Sequence, residues 1–282
     1  MEVIKDRSFS GERSLFKMSD LSLENVLFLE GESPLKEGKN IQVSHCSFSW
    51  KYPLWYCQGV DVSFSRFYNE SHAGIWYTLD GRFDSCVFEE GKNFRHSSNL
   101  SIERCSFSKA SETLWWCKNC SVKESYAKGD YFGLGSSDIE LEGIQIDGNY
   151  PFDGSKRVRA RHCVFNSKDA FWNSEDVLLE DCEIHGEYFG WNSKKVVLRR
   201  CKIVSHQGFC YMEDVRLEDC EMTDSDLTFE YVSNASVHLL KGELDLKNPI
   251  SGTFVAPSFK NVLLEDDRTR KDKIFIRKGG IK

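Results

Sequence analysis

The sequence predicts an all-β fold, a single-stranded parallel β-helix (a solenoid) of about 12 coils of 19–21 residues. Three observations carry it. A cysteine column repeats every 19 residues, apolar positions fall at fixed offsets around that column, and charges beside it alternate in sign from one repeat to the next. The column is clearest at Cys163, Cys182, Cys201 and Cys220. Each belongs to the same half-unit, as in VLLEDCEI from Val177 and VVLRRCKI from Val196. Upstream the column runs through Ile144, Ser125, Cys105, Cys86, Ser65, Cys46 and Val26, and downstream it reaches Leu240. A fixed period with almost no insertions is the signature of stacked repeats, none of which closes a core alone.

Residues 1–19 fall outside the register and carry Phe9, Leu15, Phe16 and Met18. They are expected to cap the first coil, because an open sheet edge invites aggregation. Residues 20–252 are expected to form the coils. Val177, Leu179, Cys182 and Ile184 show the offsets, which describe strand, bend and strand and not a 3.6-residue period. Asn or Asp stands six before the column at Asn40, Asp80, Asn99, Asn119, Asp138, Asp176 and Asp214. These side chains tolerate turn dihedrals and bond nearby backbone. A second apolar segment, rich in aromatics, follows the column and includes Trp55, Trp76, Trp115, Phe171 and Phe209. Stacking inward is what a solenoid does with such residues.

Two before the column the sequence reads Glu103, Lys123, Glu142, Arg161, Glu180, Arg199 and Glu218. Stacked strands put these opposite charges in contact, for roughly 0.2–1 kcal/mol per pair. The neighbouring sets Asp181, Arg200, Asp219 and Glu183, Lys202, Glu221 follow the same rule. Such ladders pin the register. After Leu240 the pattern loosens, with turns at Asn248-Pro249 and Ser251-Gly252. Residues 253–282 are expected to be a C-terminal cap and a mobile tail. No linker-like stretch divides the chain, so residues 1–282 are expected to form a single domain.

Composition narrows the function classes. Lys plus Arg total 37 against 44 Asp plus Glu, a net charge of −7 with no basic block, which argues against nucleic-acid binding. No apolar run approaches the ~18 residues of a membrane helix. The opening Met-Glu-Val-Ile-Lys-Asp-Arg has no secretory apolar region, so a cytoplasmic protein is expected. Seven of the 11 Cys lie in the column, where thiols fill space as small hydrophobes. Val, Ser, Ile and Leu replace them elsewhere, which reads as a size requirement. Cys117-Lys-Asn-Cys120 is a lone CxxC, short of the four ligands a zinc site needs. No metal and no cofactor are expected.

Stacking in register also aligns polar side chains. One column reads Asp130, Asn149, Lys168, Glu187, His206, Ser225, and its neighbour reads Tyr131, Tyr150, Asp169, Tyr188, Gln207, Asp226. A third carries Trp172 and Trp191. Asp169 would then lie beside Glu187. Two carboxylates about 5–5.5 Å apart suit retaining glycoside hydrolysis. Lys168 above and His206 below would split their pKa values for acid and base work. The candidate catalytic residues are therefore Asp169, Glu187 and His206. The candidate substrate-binding residues are Lys168, Trp172, Tyr188, Trp191, Asp226 and Glu230. The opposing reading makes the same residues a solvated charge ladder and the tryptophans core. Polygalacturonase signatures, Gly-rich phosphate loops and a Gly-x-Ser-x-Gly elbow are all missing from the sequence.

The half-coil Val-x-Leu-x-x-Cys-x-Ile resembles pentapeptide-repeat proteins, but the other half of each coil breaks the five-residue rhythm. A closer resemblance covers almost the whole chain. It rests on Ser8-Phe9, Glu12-Arg13, Lys168-Asp169-Ala170-Phe171-Trp172 and Gly186-Glu187-Tyr188. Asp226-Leu227-Thr228-Phe229-Glu230, Lys247-Asn248-Pro249 and Ser251-Gly252 add to it. By these segments the chain resembles an uncharacterised bacterial β-helix family, domain of unknown function 3737. The resemblance implies the pectin-lyase-like fold and a bacterial source, and it carries over no catalytic residue. Right-handed coiling follows from it and from the crossover rule. Two functions are expected from different classes. The first is a non-catalytic binding or scaffold protein; the alternative is a carbohydrate-binding or carbohydrate-processing protein acting on the Lys168–Asp226 face. The partner is a saccharide or a protein.

Overall fold

The computed structural model describes residues 1–279. It is a parallel β-solenoid of about 15 turns. Among the described residues the only helical turn is Lys271–Lys273. The chain divides into two compact units, residues 1–140 and 141–282, each a stack of coils. A coil holds one longer strand and one short strand across a bend, as in Ser98–Glu103 and Ser106–Phe107. Longer strands pair in register with the next coil: Leu100 with Cys120 in the first unit, and Val177 with Val196 in the second.

The bends follow from backbone the sequence marks. The Asn and Asp six before the column all adopt left-handed φ, from 52° at Asn40 to 60° at Asp176. The residue just before the column does the same, at His45, Arg104, Asp181 and Arg200. Asn and Asp reach this region at the smallest cost after Gly. Their side chains also join coil to coil. Asn99 Nδ2 donates to Asp80 Oδ1 at 2.8 Å, and Asn119 Nδ2 donates to Asn99 Oδ1 at 2.8 Å.

The core is a set of vertical columns. Phe28, Phe48, Phe67, Phe88 and Phe107 stack face to face with centroids 4.5–4.9 Å apart. In the second unit Phe209 and Phe229 stack likewise at 4.8 Å. The column cysteines are buried and free. Their role is more than size, because each thiol also meets a backbone carbonyl at the bend. Cys182 Sγ donates to Glu180 O at 3.2 Å and Cys105 Sγ to Glu103 O at 3.2 Å. Where Ser replaces Cys the same bond persists, from Ser125 Oγ to Lys123 O at 2.6 Å. A second buried polar column is lined by Ser and Cys just before the longer strands. Ser136 Oγ donates to Leu114 O and accepts from Cys117 N. These bonds satisfy backbone groups that the corners would leave bare.

Both ends depart from expectation. Glu2–Lys5 pairs with Leu21–Glu24, and Ser8–Phe9 pairs with Leu27–Phe28, so residues 1–19 begin the first coil and do not cap it. The signature is hidden because Glu2 sits opposite Leu21, and Arg7 holds the place of Val26. At the other end Gly252–Ala256 and Ile274–Lys278 add two further paired strands where a cap was expected. These additions lift the count from 12 to about 15. Part of the expected tail, residues 280–282, lies outside the described residues. A bulge in Ala235–Lys247 places Leu239, not Leu240, opposite Cys220.

Candidate functional site

The predicted columns form, with one slip. Lys168 pairs with Glu187, and Glu187 with His206. The next partner of His206 is Asp226, not Ser225. Ser225 turns inward and its Oγ accepts from Ser205 N at 3.1 Å. The coil below His206 is one residue longer, which moves Asp226 across a column.

The charges are then paired off. Lys168 Nζ lies 3.1 Å from Glu187 Oε2, and the hydrogen bond from that carboxylate raises the Lys168 pKa. Lys168 also lies 5.3 Å over the Tyr188 ring. His206 Nδ1 meets Asp226 Oδ1 at 2.5 Å. Glu230 stands apart, with Oε1 3.0 Å from Lys247 Nζ. Asp169 is 2 % exposed and sits in the wall of the coil, with its backbone N–H on Glu187 O at 2.9 Å. Burial pushes its carboxyl pKa up, against a hydrogen bond from Tyr150. The column thus holds one sealed acid and two closed pairs. This is a charge ladder in its chemistry, with Asp169 buried, Glu187 held by Lys168 and His206 held by Asp226.

Trp172 and Trp191 are half-buried on the outer wall, so they are neither core nor open platforms. The inward places belong to Phe171 and Phe189. The two indoles are 5.8 Å apart at 35°, and Trp191 stacks on Tyr211 at 5.0 Å. Trp172 Nε1 donates to Tyr188 O at 2.7 Å. A sugar ring that stacks on an indole needs a free face; here Trp191 lies between Trp172 and Tyr211, and Trp172 meets Trp191 and, at a right angle, Tyr150. A groove of about 380 Å³ lies on the far side of this strip, lined by Asn173, Glu175, Asn192, Lys194 and Tyr211. None of the nine predicted residues lines it.

The largest aromatic constellation lies in the first unit, where no site residue was expected. Trp55 and Trp76 stack at 5.1 Å. Arg95 follows, with its guanidinium 4.9 Å from Trp76 and 4.4 Å from Trp115. Beside it runs a second column of Tyr56, Tyr77, His96 and Trp116, with centroids 4.7, 5.2 and 5.0 Å apart and planes within 15°. Tyr56, Tyr77 and Trp116 are 48, 38 and 47 % exposed. The sequence assigned Trp55, Trp76 and Trp115 to an inward segment. The inward places are one residue earlier, at Leu54, Ile75, Phe94 and Leu114, all fully buried. The signal that finds the outer columns is the dipeptide pair Trp-Tyr, Trp-Tyr, Arg-His, Trp-Trp recurring once per coil.

The inner column is anchored by hydrogen bonds and the outer column by stacking. Trp76 Nε1 donates to Lys92 O at 2.6 Å and Trp115 Nε1 to Tyr131 O at 2.5 Å. Arg95 is also paired with Glu112. The edges of the outer rings face solvent, and ring edges carry the positive end of the aromatic quadrupole.

Among the described residues no three His, Cys, Asp or Glu side chains gather as a metal would require, and no helix is long and apolar enough to cross a membrane. Residues 2–277 match the family described as "Protein of unknown function (DUF3737)". No curated protein matches the sequence. Among solved structures the chain is similar to PfbA, a surface adhesin of Streptococcus pneumoniae. The TM-score is 0.54 at 11 % identity, over 83 % of this chain and 84 % of that one. It is also similar to a mutant tailspike protein of E. coli bacteriophage HK620 in complex with a pentasaccharide. There the TM-score is 0.50 at 8 % identity, over 98 % of this chain and 70 % of that one. At these identities the likeness is one of fold.

Proposed function

This chain belongs to the DUF3737 family of proteins of unknown function, and from that premise we propose that it is a non-catalytic binding module. It recognises a partner on the aromatic face of residues 55–116 and does not turn over a substrate on the Lys168–Asp226 column. One observation carries the reading: Tyr56, Tyr77, His96 and Trp116 form one continuous stack over four successive coils while their edges stay exposed. Rigid, amphipathic Tyr and Trp side chains bind at low entropic cost. By their descriptions, the adhesin and the saccharide-bound tailspike are binding proteins on the same fold, which supports the class and names no partner here.

The test combines turnover and binding. Oligosaccharides incubated with the full chain are expected to show no release of reducing ends, and Glu187→Gln is expected to change nothing. Time-dependent cleavage that falls ~100-fold or more in a folded Glu187→Gln variant, the scale of a lost acid or base, would overturn the reading.

A further inference from the structure

We infer that the aromatic face of the first unit docks an acidic protein segment carrying apolar side chains; this deepens the binding reading above and rests on it. Three features define the occupant. First, contiguous exposed apolar surface marks an interaction site, and Trp, Tyr and Arg are the residues that dominate protein interfaces. The face presents all three within four consecutive coils. Its outer column spans about 15 Å, enough for several residues of an extended segment.

Second, its charge is opposite to that of the whole chain. Among the described residues Lys36, Lys39 and Lys118 have no carboxylate in ion-pair range. Lys36 Nζ lies 5.6 Å over the Tyr56 ring at one end, and Lys39 is one coil before Gln58 in the same register. Lys118 stands two residues past Trp116 at the other end. Of the acids near the face, Glu37 is paired with Lys17 and Glu112 with Arg95 and Lys92, while Asp80 keeps its charge and accepts from the neutral Asn99 amide, so the three lysines outnumber the one unpaired carboxylate. Unpaired lysines at both ends and outward ring edges between them give a positive strip on a protein of net charge −7. Such a strip attracts an acidic partner and repels a basic one.

Third, stacking disfavours a saccharide. Tyr77 and His96 each have a ring on both faces, and Lys36 lies over Tyr56, so within the stack no flat ring surface is free for a sugar. What remains open is the row of edges, which apolar side chains cover and carboxylates approach.

The experiment uses the full chain and four probes: a random Glu/Tyr copolymer, poly-Glu, a Lys/Tyr copolymer and polygalacturonate. Affinity is read by calorimetry and tryptophan fluorescence. The Glu/Tyr copolymer is expected to bind ~10-fold or more tightly than any other probe, the scale of about 1.4 kcal/mol. Tyr77→Ala is expected to weaken it ~10-fold, as for a buried aromatic anchor. Lys118→Glu removes no packing, so it tests charge without a folding risk; it is expected to weaken binding and flatten its salt dependence. Lys241→Glu in the second unit is expected to leave binding unchanged. Equal or tighter binding of polygalacturonate that Tyr77→Ala abolishes would overturn the protein partner and leave the face as a binding site. Binding of the copolymer that neither Tyr77→Ala nor Lys118→Glu alters would also overturn the inference. Failure of every probe to bind would overturn both readings.

Discussion

Asp169 holds an almost fully buried carboxyl whose pKa burial pushes upward, with Tyr150 as its hydrogen-bond donor. The folded state therefore keeps that proton more tightly than the unfolded chain does. Stability from this group is present below the unfolded carboxyl value of about 4 and is lost as pH rises through the folded value. Asp169→Asn keeps the shape and an acceptor for Tyr150 while removing the buried charge. It is expected to raise the melting temperature at pH 7, with the gain shrinking as pH falls toward 4. Thermal melts across that range decide; a variant less stable than wild type at pH 7 would show that Asp169 is not held as a costly charge. The residue was placed correctly in the sequence, next to Glu187, but its exposure was not legible there. Neighbouring positions at a solenoid corner alternate between wall and solvent within one residue. The same one-residue alternation turned Trp55, Trp76 and Trp115 outward and Leu54, Ile75 and Leu114 inward.

Among the repeating elements, the charge ladders were the most readable feature, because alternation of sign needs only the register to become contact. Arg161 Nε lies 2.9 Å from Glu180 Oε2, Arg199 Nη1 lies 3.4 Å from Glu180 Oε1, and Arg199 Nε lies 2.6 Å from Glu218 Oε2. Burial alone would raise the Glu180 pKa, but hydrogen bonds from both arginines hold it below its ordinary value. Its contribution is thus present above the unfolded carboxyl range and fades as pH falls through the folded value. Glu180→Gln breaks two pairs and is expected to cost about 1 kcal/mol at pH 7, from ~0.2–1 kcal/mol for each. Denaturant unfolding at low and high salt checks this; a cost that survives high salt unchanged would mean that packing, not charge, is lost. Steps of 19 could be read from the cysteines. The slip that puts Asp226 under His206 and the bulge at Leu239 could not, because each depends on where one extra residue is absorbed.

For the molecule as a whole, stacking turns residues distant in sequence into one surface. The end coils were missed for a related reason: a terminal coil has solvent on one side, so Glu2 and Arg7 take places that are apolar inside the stack. The binding account makes a distinctive demand of any footprint, since a ligand along the coils must touch segments one coil apart and skip what lies between. The most direct test is hydrogen exchange of the full chain with and without the Glu/Tyr copolymer. Protection is expected in separate segments around Tyr56, Tyr77, His96 and Trp116, with the intervening strands unchanged. Protection centred instead on Lys168, Glu187 and Asp226, or spread evenly along the chain, would contradict the account.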